Sequence, residues 1–169
     1  MIESNKAIAE RFGRTTEELL QLISKFTDTG FNRKPTEDKW SAAEVAEHLL
    51  IFDTRLNKIL ETTTEATERA IEEKVATIAA RVSNRNNKID APPFLLPSPG
   101  SKSVADLVEK IRAERLLIVK AIEEKDLALY SKEFPHRLFG ELTAYEWINL
   151  VDTHARRHME QLLELLAAN

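Results

Sequence analysis

The chain contains no cysteine. That excludes disulfides, thiolate nucleophiles and sulfur-ligated metal sites, so any metal must be held through nitrogen or oxygen and any thiol must come from outside. Glycine is scarce as well, with four in 169 residues, which suits a chain built mainly of helix. Long uncharged apolar runs are missing, so no membrane span is expected. The opening MIESNKAIAERFGR has neither the basic start nor the apolar stretch of an export signal, and the expected location is the cytoplasm. Concentrated positive charge is missing too: the formal net charge is -4 with the signs interspersed, whereas phosphate binding wants a basic surface. Arg81, Arg85 and Lys88, and the pair Arg156 and Arg157, are the local basic clusters, and they suit a solvated surface or a small anion. The expected partner is therefore a small molecule, with no nucleic acid and no membrane.

What is present is an ordinary soluble composition, 43% apolar and 31% charged, over a length that suits one domain spanning residues 1–169. Ile8, Phe12, Leu19, Ile23 and Phe26 recur at three- and four-residue steps and predict a first helix over about Lys6 to Thr27, ended by Gly30 and Pro35. Ser41 followed by Glu44 is a capping-box signature, and Trp40 is placed to staple against Val45. The second helix that starts there should bury Val45, His48 or Leu49, Phe52, Leu56 and Ile59. Between Glu61 and Arg81, Ile71, Val75 and Ile78 keep helical spacing and predict a subsidiary helix. The following NRNNKIDAPPFLLPSPGS holds four prolines and reads as a long crossover, with Phe94, Leu95 and Leu96 packing over the body or rimming a pocket.

A third helix is expected from Ser103 into the 120s, with Val104, Val108, Ile111, Ile118 and Ile122 inside. Thr143 and Glu146 repeat the capping signature, and Leu142 can staple to Trp147. The fourth helix then buries Trp147, Val151, His154, His158, Leu162 and Leu165. The expected fold is all-α: a four-helix bundle with a long connection and a subsidiary helix between helices 2 and 3. That connection would let the topology depart from simple up-and-down order.

Three of the four histidines, His48, His154 and His158, fall on these apolar strips. Residues four apart on a helix lie one above the other, so His154 and His158 can direct nitrogens to one point. Alone, HARRH is more often a surface pair than a metal half-site, and a lone inward His48 is commonly a hydrogen-bonded core residue. Three inward imidazoles together would crowd polar nitrogens that need partners, and neutral imidazoles are good ligands for zinc, nickel or iron. Three protein ligands leave room for water or substrate at the ion, which can acidify bound water or an external thiol. Glu44, Glu47, Asp152 and Glu160 are placed to orient an imidazole or move a proton, or else are solvated helix charge. Glu44 and His136 are the catalytic candidates. His136 either carries protons at the open face of the ion or stands exposed while Pro135, Phe139 and Gly140 shape the approach to the last helix. Tyr145 and Arg157 are candidate substrate contacts.

The stretches KWSAAEVAEHL, residues 39–49, and HRLFGELTAYEWINLVDTHARRHMEQL, residues 136–162, resemble the DinB-like superfamily, in particular its second DinB-like (YfiT-like) family. Trp40 with His48, the FGELT entry to the last helix and the HARRHMEQ segment carry the likeness. The resemblance implies a four-helix bundle whose three-histidine divalent-metal site matches His48, His154 and His158, with nickel or zinc as the usual metal. It further implies metal-dependent transferases that activate a low-molecular-weight thiol such as bacillithiol or mycothiol, with isomerases and hydrolases among relatives, and frequent dimerisation. Three readings follow: a thiol transferase acting on an electrophile, a hydrolase working through bound water, and a non-enzymatic metal- or ligand-binding module. A homodimer through an apolar helix face and a chain that buries its strips alone both stay open.

Overall fold

The structure, a computed structural model, describes residues 2–86 and 91–168; Lys88 of the first basic cluster lies outside them. Four long helices dominate: α1 (Asn5–Ile23), α3 (Ala42–Glu61), α5 (Val104–Glu124) and α6 (Ala144–Ala167). Short helices α2 (Asp28–Asn32) and α4 (Val75–Ser83) sit in the connections, with a 3-10 turn at Pro93–Leu95. Among the described residues there is no strand, only isolated bridges such as His136 with Gly140.

Both expected capping boxes form. Ser41 and Glu44 close one at the start of α3, and Thr143 and Glu146 close the other at the start of α6, satisfying otherwise orphaned amides. The first helix is shorter than expected. Ser24 turns its hydroxyl back to the Leu20 carbonyl, and Thr27 caps a separate helix through the Gly30 amide, so Gly30 lies inside α2 and terminates nothing. The subsidiary helix also starts later than its periodicity suggests. Thr62 and Thr63 bond back to Ile59 and Leu60 carbonyls, and the amides of Thr64 and Glu65 go to the Tyr130 carbonyl, so the backbone leaves helical geometry until Val75.

Each long helix packs on two others, α1 and α3 each touching α5 and α6, so α1 and α3 share one diagonal. Side-chain pairs give the directions. Arg11 meets Asn149 and Asp152 while Thr15 meets Arg156, so α1 and α6 are parallel. Asn5 meets the Ile122 carbonyl while Glu17 meets Arg112, so α5 opposes α1. Leu49 shares an apolar body with Leu107 and Ile111, and Leu56 and Ile59 share another with Ile118 and Ile122, so α3 and α5 are parallel. A parallel pair needs a crossover as long as a helix, which the connection over 62–103 supplies.

The two apolar bodies are divided by a polar waist. Along each helix the change falls at a polar residue: Thr15 and Thr16 on α1, Asp53 on α3, Arg115 on α5, Asp152 on α6, all buried. Arg115 holds Asp53 through two bonds of 2.9 and 3.3 Å, reaches Thr16 at 3.3 Å and lies over the Phe12 ring. The internal strip of α5 accordingly runs Leu107, Ile111, Arg115, Ile118 and Ile122, with Val104 and Val108 only partly buried.

Candidate metal centre

α3 and α6 are antiparallel neighbours, and the crossing brings His48 opposite the fourth-helix pair. The His48 and His158 Nε2 atoms lie 3.2 and 3.1 Å from His154 Nε2, and one nitrogen from each ring falls within 4.8 Å of the others. Protons decide what such a cluster can do. The Nδ1 of His48 is 2.8 Å from the Leu95 carbonyl, which only accepts, so Nδ1 carries the hydrogen and Nε2 presents a lone pair. Nδ1 of His158 meets Gln161 Oε1 at 2.9 Å, with the same consequence. Two lone pairs therefore face a third imidazole that has at most one proton to give on that side. His154 Nδ1, buried, has no hydrogen-bond partner among the described residues. A donor set of three nitrogens with the lone pairs turned inward fits a divalent cation better than it fits hydrogen bonding.

The electrostatics agree. Burial holds the His48 ring below its ordinary value despite the Leu95 carbonyl. His154 is held well below by burial and then by the two neighbouring imidazoles. His158 is pushed down to about 4, again by burial first and His48 second, with Gln161 opposing. All three are neutral near pH 7, the state in which imidazole ligates.

The rings are fixed by stacking as well as by hydrogen bonds. Phe52 stacks on His154 at 4.5 Å between centroids with the planes 29° apart, and Trp40 packs on His48 at 5.1 Å, which gives Trp40 a contact at the site besides its place before the cap. All three histidines line a cavity of about 1010 Å³, walled also by Phe94, Leu95 and Leu96 of the long connection. The crossover thus rims the pocket and supplies the carbonyl that orients His48.

The remaining candidates separate. His136 lines the same cavity, half-buried rather than exposed; its Nδ1 accepts from the Leu138 and Phe139 amides at 3.1 and 3.3 Å. Burial, with Arg137 and Arg55 nearby, lowers it to about 4, so it is neutral with its hydrogen on Nε2. Glu44 is not among the cavity-lining residues. Burial would raise its carboxyl, but the Ser41 amide and the Lys34 ammonium at 3.0 Å outweigh that and hold it low. Glu47 accepts from Ser98 and Lys102, Asp152 from Arg11 and Arg156, and Glu160 faces Arg85. None of the three has an imidazole as a described hydrogen-bond partner; that place belongs to the Leu95 carbonyl and Gln161. Gln161, three residues after His158, was legible as a neighbour on the helix, whereas a backbone carbonyl from the crossover leaves no trace in residue type. Tyr145 is buried in the core. Arg157 lines the cavity and donates to the Val82 and Asn84 carbonyls, closing the end of α4.

The chain is an all-α bundle whose facing helices gather three neutral imidazoles at the wall of a large cavity, a set that could hold a metal ion. The chain belongs to the DinB superfamily, whose sequence pattern matches residues 11–162. It is similar to the uncharacterized protein YuaE of Bacillus subtilis (strain 168), with 32% identity over 148 residues, 85% of this chain and 87% of that one. No solved structure matches.

Proposed function

We propose that the protein is a metal-dependent enzyme in which His48, His154 and His158 hold one divalent ion, nickel or zinc, and a low-molecular-weight thiol from outside the chain attacks a small electrophile. The convergence of three neutral Nε2 atoms at the wall of a cavity of about 1010 Å³ carries this reading. A metal serving merely to fasten α3 to α6 would need no such cavity beside it. His48, His154 and His158 would hold the ion, which would supply Lewis acidity to a thiol or water brought to it.

The chain's own residues do the rest. Leu95 and Gln161 fix the ring orientations, Phe52 and Trp40 stop the imidazoles from swinging, and Phe94, Leu96 and Leu150 give the cavity an apolar wall for an electrophile. His136, neutral and with its hydrogen on Nε2, can donate a hydrogen bond, without giving up the proton, to a group bound in the cavity. The chain has no cysteine, so the attacking sulfur must be a cosubstrate.

Elemental analysis of untagged protein should find one ion per chain, lost in His48→Ala and in His158→Ala. Gln161→Ala should weaken metal affinity by about 10- to 100-fold while leaving the triad in place. Stoichiometric metal in both histidine variants would remove the proposed ligand set. Loaded protein should then conjugate a thiol to a halogenated or epoxide electrophile; turnover of the same panel without thiol would replace transfer by hydrolysis.

A further inference from the structure

Cationic side chains line the cavity toward both ends, Lys39 and Arg85 at one and Arg55 and Arg137 at the other, whereas its carboxylates gather at one end. Its two acidic wall residues, Asp38 and Glu164, lie toward the end marked by Pro35 and Leu165, and each already has a partner: Thr36 for Asp38 and Arg85 for Glu164. The opposite end, beside Trp147, holds Arg55, His136 and Arg137 and no carboxylate among the described residues. Arg55 is the unusual member. Its guanidinium sits between two aromatic rings, 4.5 Å from the Phe94 centroid and 5.2 Å from that of Phe134. Among the described residues no carboxylate, carbonyl or hydroxyl accepts a hydrogen bond from it. A half-buried guanidinium lying over ring faces is oriented by them, and its N–H donors stay open to a ligand. Nearby, His136 presents a second donor, because its Nδ1 is committed to backbone amides.

We propose that Arg55 is the anchor for a carboxylate carried by the small molecule that occupies this cavity. That this molecule reacts at the histidine cluster rests on the function proposed above; that it binds through a carboxylate does not. A planar fork matches the two oxygens of a carboxylate. Position sets the size of the ligand. His48, Phe52 and Arg55 follow one another at steps of four and three along one face of α3, so the anchor stands about 10 Å along the helix from the histidine ligand. The reacting atom and the carboxylate are therefore separated by a chain of several bonds.

Trp40 and Trp147 both line the cavity and are the two tryptophans of the chain, so intrinsic fluorescence reads its occupancy. The full chain, metal-free and zinc-loaded, would be titrated with hexanoate, 1-hexanol and hexyl phosphate. Hexanoate should bind at least about tenfold more tightly than hexanol, the scale of one charged hydrogen-bonded contact. Arg55→Gln should bring hexanoate down to the hexanol level and leave hexanol unchanged, and Arg55→Lys should restore part of the preference. Equal affinities in the wild type, a preference for hexyl phosphate, or equal weakening of hexanoate and hexanol by Arg55→Gln would each overturn the anchor. Equal weakening would leave Arg55 as a clamp between two rings. Zinc uptake in the same preparations separates the two readings: full uptake without carboxylate preference removes the anchor alone, and preference without uptake removes the metal reading alone.

Discussion

Burial selects the neutral imidazole at His136, and the consequence is measurable. Its folded value of about 4 lies below the ordinary 6.5, because burial and the neighbouring Arg137 and Arg55 penalise the cation. The unfolded chain therefore takes up this proton first as pH falls, and the ring's contribution to stability is complete above 6.5 and lost on descent toward 4. In His136→Asn, whose amide oxygen can still accept from Leu138 and Phe139, the fall in urea-unfolding stability through that window should be shallower than in the wild type. Proton NMR should place the His136 midpoint near 4; a midpoint at the ordinary value would contradict the buried, neutral assignment. At this scale much was legible: His48, His154 and His158 stood on apolar strips, and the structure brings their rings together. The Leu95 carbonyl was not, because every residue has a carbonyl and its aim depends on a distant loop.

At the scale of elements, α6 depends on its first turn. Thr143 Oγ1 accepts from the Glu146 amide at 3.1 Å and donates to the Ile71 carbonyl at 2.7 Å, tying the cap to the loop before α4. Glu146, fully buried, takes two bonds of 2.7 and 2.6 Å from Arg69 and one from the Lys74 amide. Thr143→Ala removes a cap and leaves a part-buried carbonyl without its hydroxyl donor, so it should destabilise the protein by about 1–2 kcal/mol in urea unfolding. An unchanged midpoint would show that the cap is dispensable. Both capping boxes could be read as Ser41–Glu44 and Thr143–Glu146 because the motif is local. The end of α1 and the start of α4 could not, since they follow from threonine and serine hydroxyls choosing nearby carbonyls and from Tyr130, which is remote in sequence.

Across the whole molecule, the waist of Thr16, Asp53, Arg115 and Asp152 separates two apolar bodies and passes beside the histidine cluster, with Arg115 close enough to His154 to disfavour its cation. Buried ion pairs are costly to break and of small net benefit when intact. Asp53→Asn alone should therefore cost about 3–5 kcal/mol by leaving a buried guanidinium uncompensated, whereas Asp53→Leu with Arg115→Met should recover much of that loss. A double variant as unstable as the single one would mean that the pair stabilises the bundle outright. Arg115 was invisible as an interior residue for a simple reason. A charge at a core position looks like a helix turned slightly outward until its partner is found on another helix.

Local chemistry was enough to establish an all-helical chain, the two capped starts, the absence of any internal thiol, and three imidazoles on inward faces, since each depends on residue type and spacing within a few turns. Tertiary structure alone decided which helices are parallel, that the crossover orients His48, that Glu44 serves a cap, and that Arg55 lies over two rings with no hydrogen-bond acceptor among the described residues. Those features pair residues far apart in the chain, and their geometry is set by how helix faces pack rather than by any stretch of sequence.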